Sequence, residues 1–171
     1  MKRWGITAVV AFAAIATVTT ASADTKTLAK AGSWQAFGGT TTTGRGVCGI
    51  SATVGPRYFG LKLFSGNDTF TIQMGTGQWT VTDGEKIGVT MRLDANPVWR
   101  ATATSFHFED KDAGLEFTVN RAEIDKFAQE FRNSSQLKIQ FQDNRFPEWL
   151  FGLEGTMAVN GAFQTCMRGL K

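Results

Sequence analysis

The 171-residue chain is poor in the residues most catalytic and metal sites need: one histidine, two cysteines and one tyrosine. One imidazole cannot build a multi-histidine metal centre, and any Ser-His-Asp arrangement would depend on His107 alone. Asp110 and Asp112 share a turn but lack the further oxygen ligands and closing glutamate of a calcium loop. The glycine and threonine stretch Gly38 to Gly46 has neither the G-x-x-x-x-G-K-[ST] nor the G-x-G-x-x-G spacing, so it reads as a mobile connecting loop. No metal and no cofactor are expected.

Long apolar runs are also missing. After Ile6 to Val18 nothing approaches the roughly 20 apolar residues of a membrane helix. That first run follows Lys2 and Arg3 and precedes Ala21-Ser22-Ala23, an A-x-A cleavage pattern, so residues 1–23 read as a secretory signal peptide. The mature chain then starts at Asp24, is soluble, and is periplasmic or secreted. Charge of one sign is lacking too. The 18 Lys+Arg against 15 Asp+Glu become 16 against 15 once Lys2 and Arg3 leave, a net of about +1, which excludes a field for nucleic acid.

About 148 mature residues suit one domain. Residues 24–32, polar and without period, read as a flexible leader, and 33–171 as a single β-rich domain. Because the compartment permits it and no metal partner is on offer, Cys48 and Cys166 are expected to form a disulfide. It would close a loop of about 118 residues and stabilise the fold by on the order of 4 to 5 kcal/mol in the chain-entropy model.

Period-two alternation dominates the chain from Trp34 onward. Trp34 and Ala36 share a face opposite Gln35 and Phe37. Cys48, Ile50 and Ala52, then Phe59, Leu61 and Leu63, then Phe70, Ile72 and Met74 repeat the pattern, with turn signals at Gly55-Pro56 and Ser65 to Asp68. Ile87, Val89, Met91 and Leu93 form a central strand. From Val98 to Phe108 the parity is mixed, so either both faces are covered or a bulge switches the phase near Thr104.

Leu115, Phe117 and Val119 lead to Asn120, an N-cap with Glu123 three positions on, before Ile124, Phe127, Ala128 and Phe131 at helical spacing. Leu137, Ile139 and Phe141 return to a strand. Trp149, Phe151 and Leu153 make a last one, and after Gly155 a helix capped by Thr156 carries Val159, Ala162, Phe163 and Cys166 on its buried stripe. The expected class is a mainly antiparallel β-sandwich or incomplete barrel of about nine or ten strands, with two short helices near 120–133 and 156–166.

Candidate chemistry is sparse. Ser105, His107 and Glu109 line one strand face, yet neighbours two apart stand roughly 7 Å from each other, beyond hydrogen-bond reach without a bulge. Asp143, Glu148 and Glu154 offer carboxylate pairs near Trp149, but spacing alone does not make them a glycosidase pair. Phe37, Tyr58, Phe64 and Phe146 lie off the core parity or in a loop beside Arg45, Arg57, Lys62 and Arg145. Gathered on one face, they would make an apolar patch with a basic rim, suited to a protein or glycan partner.

Trp34, Cys48, Trp79, the corner Leu153-Glu154-Gly155-Thr156 and Ala162-Phe163-Gln164-Thr165-Cys166 together give a layout that resembles the invasion-associated locus B family. The resemblance implies a signal-bearing, disulfide-containing, β-rich envelope protein, and that family carries no catalytic residues to transfer. This chain departs from the pattern in having one cysteine pair and in placing Thr156, not an aromatic residue, after the corner glycine. The leading expectation is an exported, non-enzymatic β-domain that binds an envelope or host molecule. Its rivals are a small hydrolase using His107 or a carboxylate pair, and an inhibitor or secretion accessory protein presenting the Gly38 to Gly46 loop.

Overall fold

The computed structural model describes residues 24–108 and 111–170. The expected signal peptide and the candidates Glu109 and Asp110 lie outside the described residues. The strands are β1 (Asp24–Ala31), β2 (Trp34–Thr40), β3 (Gly46–Val54), β4 (Arg57–Phe64), β5 (Thr69–Thr76), β6 (Lys86–Leu93), β7 (Trp99–His107), β8 (Ala113–Asn120), β9 (Gln136–Phe141) and β10 (Trp149–Gly152). Among the described residues two α-helices, α1 (Arg121–Asn133) and α2 (Thr156–Gly169), and a 3-10 turn (Gln142–Asn144) complete the order.

All ten strands join one antiparallel sheet in the order β1-β2-β3-β4-β5-β8-β7-β6-β9-β10. The sheet curls until its two ends meet without closing the ladder, an incomplete barrel. At the seam the Trp34 Nε1–H donates to the Gly152 carbonyl at 2.7 Å, and the Trp34 ring packs beside Phe151. Gly155, at φ +94, lies so close to Ala31 that a Cβ there would meet the Ala31 carbonyl at 2.6 Å. A glycine is required for both reasons.

The alternation read from the sequence is what fills the barrel. Inward positions from β2 to β10, among them Trp34, Ile50, Leu63, Ile72, Leu115, Met91, Ile139 and Phe151, are buried. The helices stopper the interior with Phe127 and Phe131 from α1 and Val159 and Phe163 from α2. Asn120 occupies the N-cap of α1, but its side chain makes no capping bond. Thr156 is the first helical residue of α2, with Gly155 at the cap, and its hydroxyl donates back to the Leu153 carbonyl at 2.8 Å. No helix among the described residues is long and apolar enough to cross a membrane.

Three expectations need correction. Residues 24–31 are not a leader: they form β1 and pair along β2 from Asp24↔Thr40 to Ala31↔Trp34. Their mostly exposed side chains carry no period, so only backbone pairing marks them as a strand. The Gly38 to Gly46 loop is shorter than expected, because Gly38 to Thr40 belong to β2 and Gly46 starts β3. What remains is held in place: the Thr41 N–H donates to the Arg45 carbonyl at 2.8 Å, and the Arg45 N–H to Thr41 Oγ1 at 3.1 Å.

The ambiguity in β7 resolves without a phase switch. Ala103 and Ser105 are buried, and Phe106 lies on the opposite face. What changes at Thr104 is the neighbour: residues 99–104 pair with β6, whereas residues 104–107 pair with β8.

The disulfide forms as expected, with Cys48 and Cys166 at a Cα–Cα distance of 5.9 Å. Cys48 is fully buried on β3. It ties α2 to the third strand of the sheet. Gly38, the β2 partner of Cys48, makes room for it, since a Cβ there would lie 2.5 Å from Cys166 Sγ.

Candidate functional site

Because side chains fill the barrel, the concave spaces large enough for a ligand lie outside it. The space beneath the helices, among Trp34, Phe59, Phe127, Phe131 and Phe163, amounts to about 60 Å³, room for a water or two. By contrast, the outer face of β4, β5, β8 and β7 carries a cleft of about 480 Å³ and a groove of about 650 Å³.

The cleft is built from aromatic rings laid on bare backbone. Across the sheet, Tyr58 pairs with Gly75, Gly75 with Gly114, and Gly114 with Phe106. Phe108 covers both glycines: a Cβ on Gly75 would meet its ring at 2.5 Å, and one on Gly114 at 2.7 Å. Tyr58 bends over Gly60 and meets Phe108 edge to face at 5.9 Å, and Phe108 in turn meets Phe106 at 4.6 Å. Rings over strand glycines shield exposed backbone while keeping a π surface toward solvent. Asp112, Thr53 and Pro56 complete the lining.

A polar row joins the cleft to the groove. Lys62 Nζ donates to Gln73 Oε1 at 2.6 Å, and Gln73 Nε2 donates to Glu116 Oε2 at 2.9 Å. Burial lowers the Lys62 ammonium below its ordinary value, and the Glu116 carboxylate partly offsets this. Burial also pushes the Tyr58 hydroxyl up to about 12, because a phenolate there would lose its water. Lys62 further sits 5.9 Å from the Tyr58 ring centroid.

The groove beyond is rimmed by Arg45, Arg100 and threonines 71, 102, 104 and 118. Arg45 is fixed by bonds from Nη2 to the Ser65 carbonyl at 2.8 Å and to Asn67 Oδ1 at 2.7 Å, and it lies over the Phe64 ring at 5.6 Å. Arg100 is exposed and has no acidic partner among the described residues.

The eight residues expected to form one patch therefore divide into two groups. Phe37, Tyr58, Lys62, Arg45 and Phe64 belong to the outer face, where Phe37 covers Gly49, the β3 partner of Lys62. Arg57, Arg145 and Phe146 sit at one end of the barrel. There Trp79 stacks on both Phe146 and Trp149 with centroids 4.6 Å apart, Arg57 lies 5.9 Å from the Trp149 ring and Arg145 lies 5.6 Å from that of Phe146. Arg145 also makes a two-pronged ion pair with Glu85. Parity does set Arg57, on the inward side with Phe59, apart from Tyr58, but it says nothing of Arg145 and Phe146, which lie in the loop before β10. The residues missed were Phe106, Phe108, Gln73 and Glu116; the signal was glycine opposite aromatic on neighbouring strands.

Among the described residues, the catalytic candidates form no triad of hydrogen bonds with one another. His107 is partly exposed and its Nδ1 bonds Asp83 Oδ1 at 2.6 Å. Ser105 is buried, its hydroxyl donating to the Thr82 carbonyl at 2.5 Å and accepting from the Glu85 N–H at 3.0 Å. Glu148 is held by Lys138 at 3.1 Å and Gln140 at 2.8 Å. Glu154 folds over Gly152, and Asp143 is exposed in a short 3-10 turn. Among the described residues no three His, Cys, Asp or Glu side chains cluster as a metal site.

No protein-family model matches the chain, and no curated protein matches it. Among solved structures, the crystal structure of invasion associated protein B from Bartonella henselae superimposes with a TM-score of 0.53 at 10% identity, over 85% of this chain and 98% of that one. The two share a fold. The likeness agrees with the weak resemblance read from the residues around Trp34, Cys48 and the Leu153 to Thr156 corner, and at that identity it speaks for architecture alone.

Proposed function

We propose that the chain is an exported, non-enzymatic binding domain that uses the outer face of β4, β5, β8 and β7 to hold a protein or glycan of the envelope or host. One observation carries this reading: the half-buried rings of Tyr58, Phe106 and Phe108 lie over glycine backbone beside an open cleft, bordered by the Lys62-Gln73-Glu116 row. Aromatic surfaces beside fixed polar groups are the usual anchors of recognition. The filled barrel supports it further, since a carrier of small apolar ligands needs an internal cavity. The disulfide and the sequence signal support export. The fold it shares with invasion associated protein B is compatible with an envelope role.

The test is capture from envelope extract by the immobilised protein, comparing the unaltered chain with Tyr58→Ala and Phe108→Ala. Loss of a specifically retained species in both variants supports the reading. Retention of the same species by both variants removes the outer face as the site.

A further inference from the structure

The groove beside Arg100 is a break in the sheet. Pairing between β7 and β8 runs from His107↔Ala113 to Thr104↔Glu116 and stops, although β7 extends back to Trp99 and β8 onward to Asn120. At this end α1 leaves β8 at Arg121 and meets the first residue of β7: Trp99 Nε1 donates to Glu130 Oε2 at 2.7 Å, and the Trp99 ring meets Phe127 at 5.5 Å. The two strands part here.

Hydrogen-bond alternation shows which backbone groups face the break. The Ser105 N–H donates to the Glu85 carbonyl and the Ser105 carbonyl accepts from the Gly84 N–H, so Ser105 is directed to the β6 side. Phe108 is directed to the other side, its N–H donating to the Asp112 carbonyl. Antiparallel strands alternate in this respect. The N–H and C=O of Arg100 and Thr102 therefore point toward β8, and those of Thr118 point back toward β7. Among the described residues no strand meets them. These are edge groups, with the pairing capacity of an edge, placed inside a sheet.

The notch also has a floor and a rim. A space of about 110 Å³ reaches inward to Met91, Ala101 and Phe117. Outward, Arg45 and Arg100 border the wider groove. The carboxylate on this rim, Glu116, is already bonded by Gln73 and faces Lys62. Glu123 lines the α1 end of the inner space, so an acidic ligand is favoured toward the Arg45 end.

We propose that this notch accepts an extended segment of a partner protein by strand addition, with apolar side chains turned in toward Met91, Ala101 and Phe117 and acidic ones turned out toward Arg45 and Arg100. The proposal rests on the binding-domain reading and names the kind of partner. Side chains of an added strand alternate between faces, so an apolar floor beneath a basic rim selects an alternating apolar and acidic sequence. The notch is about four residues long, the length of a short pairing segment.

The experiment is titration of the protein with a fluorescent seven-residue peptide alternating valine and glutamate, its valine and lysine counterpart, and the glutamate peptide N-methylated at alternate residues. The glutamate peptide is expected to bind at least tenfold more tightly than the lysine peptide and to lose binding on N-methylation. Its addition slows hydrogen exchange at the Thr102 and Thr118 amides. Arg100→Glu reverses the charge preference, and Thr102→Pro, which removes an N–H directed into the notch, weakens binding at least tenfold. Equal binding of the two charged peptides, binding that survives N-methylation, or no binding of either would overturn the proposal. Met157→Ala, an exposed change on α2 outside the cleft and the groove, leaves peptide binding unchanged, and peptide titration reads the notch while capture from envelope extract reads the aromatic cleft, so the two failures are distinguished.

Discussion

The indole of Trp34 on β2 donates to the carbonyl of Gly152 on β10 at 2.7 Å, joining strands from opposite ends of the sheet. Trp34→Phe keeps an aromatic ring but leaves that carbonyl without its donor. A cost of about 1–3 kcal/mol is expected, read as a lower urea midpoint with an unchanged slope. Stability within about 0.5 kcal/mol of the parent, the scatter of ordinary surface substitutions, would show that the seam does not depend on this bond.

Replacing Cys48 and Cys166 together by alanine should lower stability by about 4 kcal/mol, since a loop closed over a separation of 118 residues is released. Gly38→Ala tests the same region from the neighbouring strand. Its Cβ would stand 2.5 Å from Cys166 Sγ, so the bridge must shift, and faster reduction by dithiothreitol is the measurement. Unchanged reduction kinetics would contradict the packing.

Tyr58 is the single tyrosine of the chain, so its ionisation can be followed by ultraviolet absorbance without assignment. Its pKa is raised from 10.0 to about 12. Between those values the folded chain keeps a proton that the unfolded chain has lost, so stability present below pH 10 falls as pH rises through that window, by on the order of 2 kcal/mol. Lys62 acts in the opposite sense below 10.5, where its lowered pKa makes stability rise with pH. Tyr58→Phe should abolish the loss above pH 10. Gly60→Ala, whose Cβ would run into the Tyr58 hydroxyl, should displace the ring and return its titration toward 10.

At the barrel end, Trp79→Ala should cost about 3–5 kcal/mol, because it removes the ring on which Phe146 and Trp149 both stack. Arg57→Gln should cost under about 1 kcal/mol, the worth of a cation over a ring. Chemical denaturation of the two variants makes the comparison. A larger loss from Arg57→Gln would mean that the guanidinium, not the stack, holds this end.

Alternation made most of the barrel legible. Ile87 to Leu93 and Phe70 to Met74 declare their inward faces by residue type alone, and two cysteines within one chain have one possible pairing. β1 was invisible because an exposed edge strand such as Thr25 to Lys30 needs no apolar residues; its information lies in backbone pairing with β2. The outer face was half legible. Tyr58 and Phe37 stood out as aromatics on the wrong parity, but that Phe108 covers Gly75 and Gly114 depends on which strands are neighbours, and the β5 to β8 adjacency skips two strands in sequence. Arg57 and Arg145 were misplaced for the converse reason, since a charged side chain at a barrel end can point inward and still reach water.

The Cys48 to Cys166 bond also sets an order of events. A ribosome makes β3 well before α2, so the Cys48 thiol must wait for a partner that lies 118 residues further along the chain. Until then the sheet can pair strand by strand, but α2 is unfastened and the carbonyl that receives the Trp34 indole is made only shortly before it. Oxidation of this one pair therefore marks that synthesis has passed α2: a chain truncated before Cys166 keeps a free thiol, and a thiol-reactive probe distinguishes chains that have passed this point from those that have not.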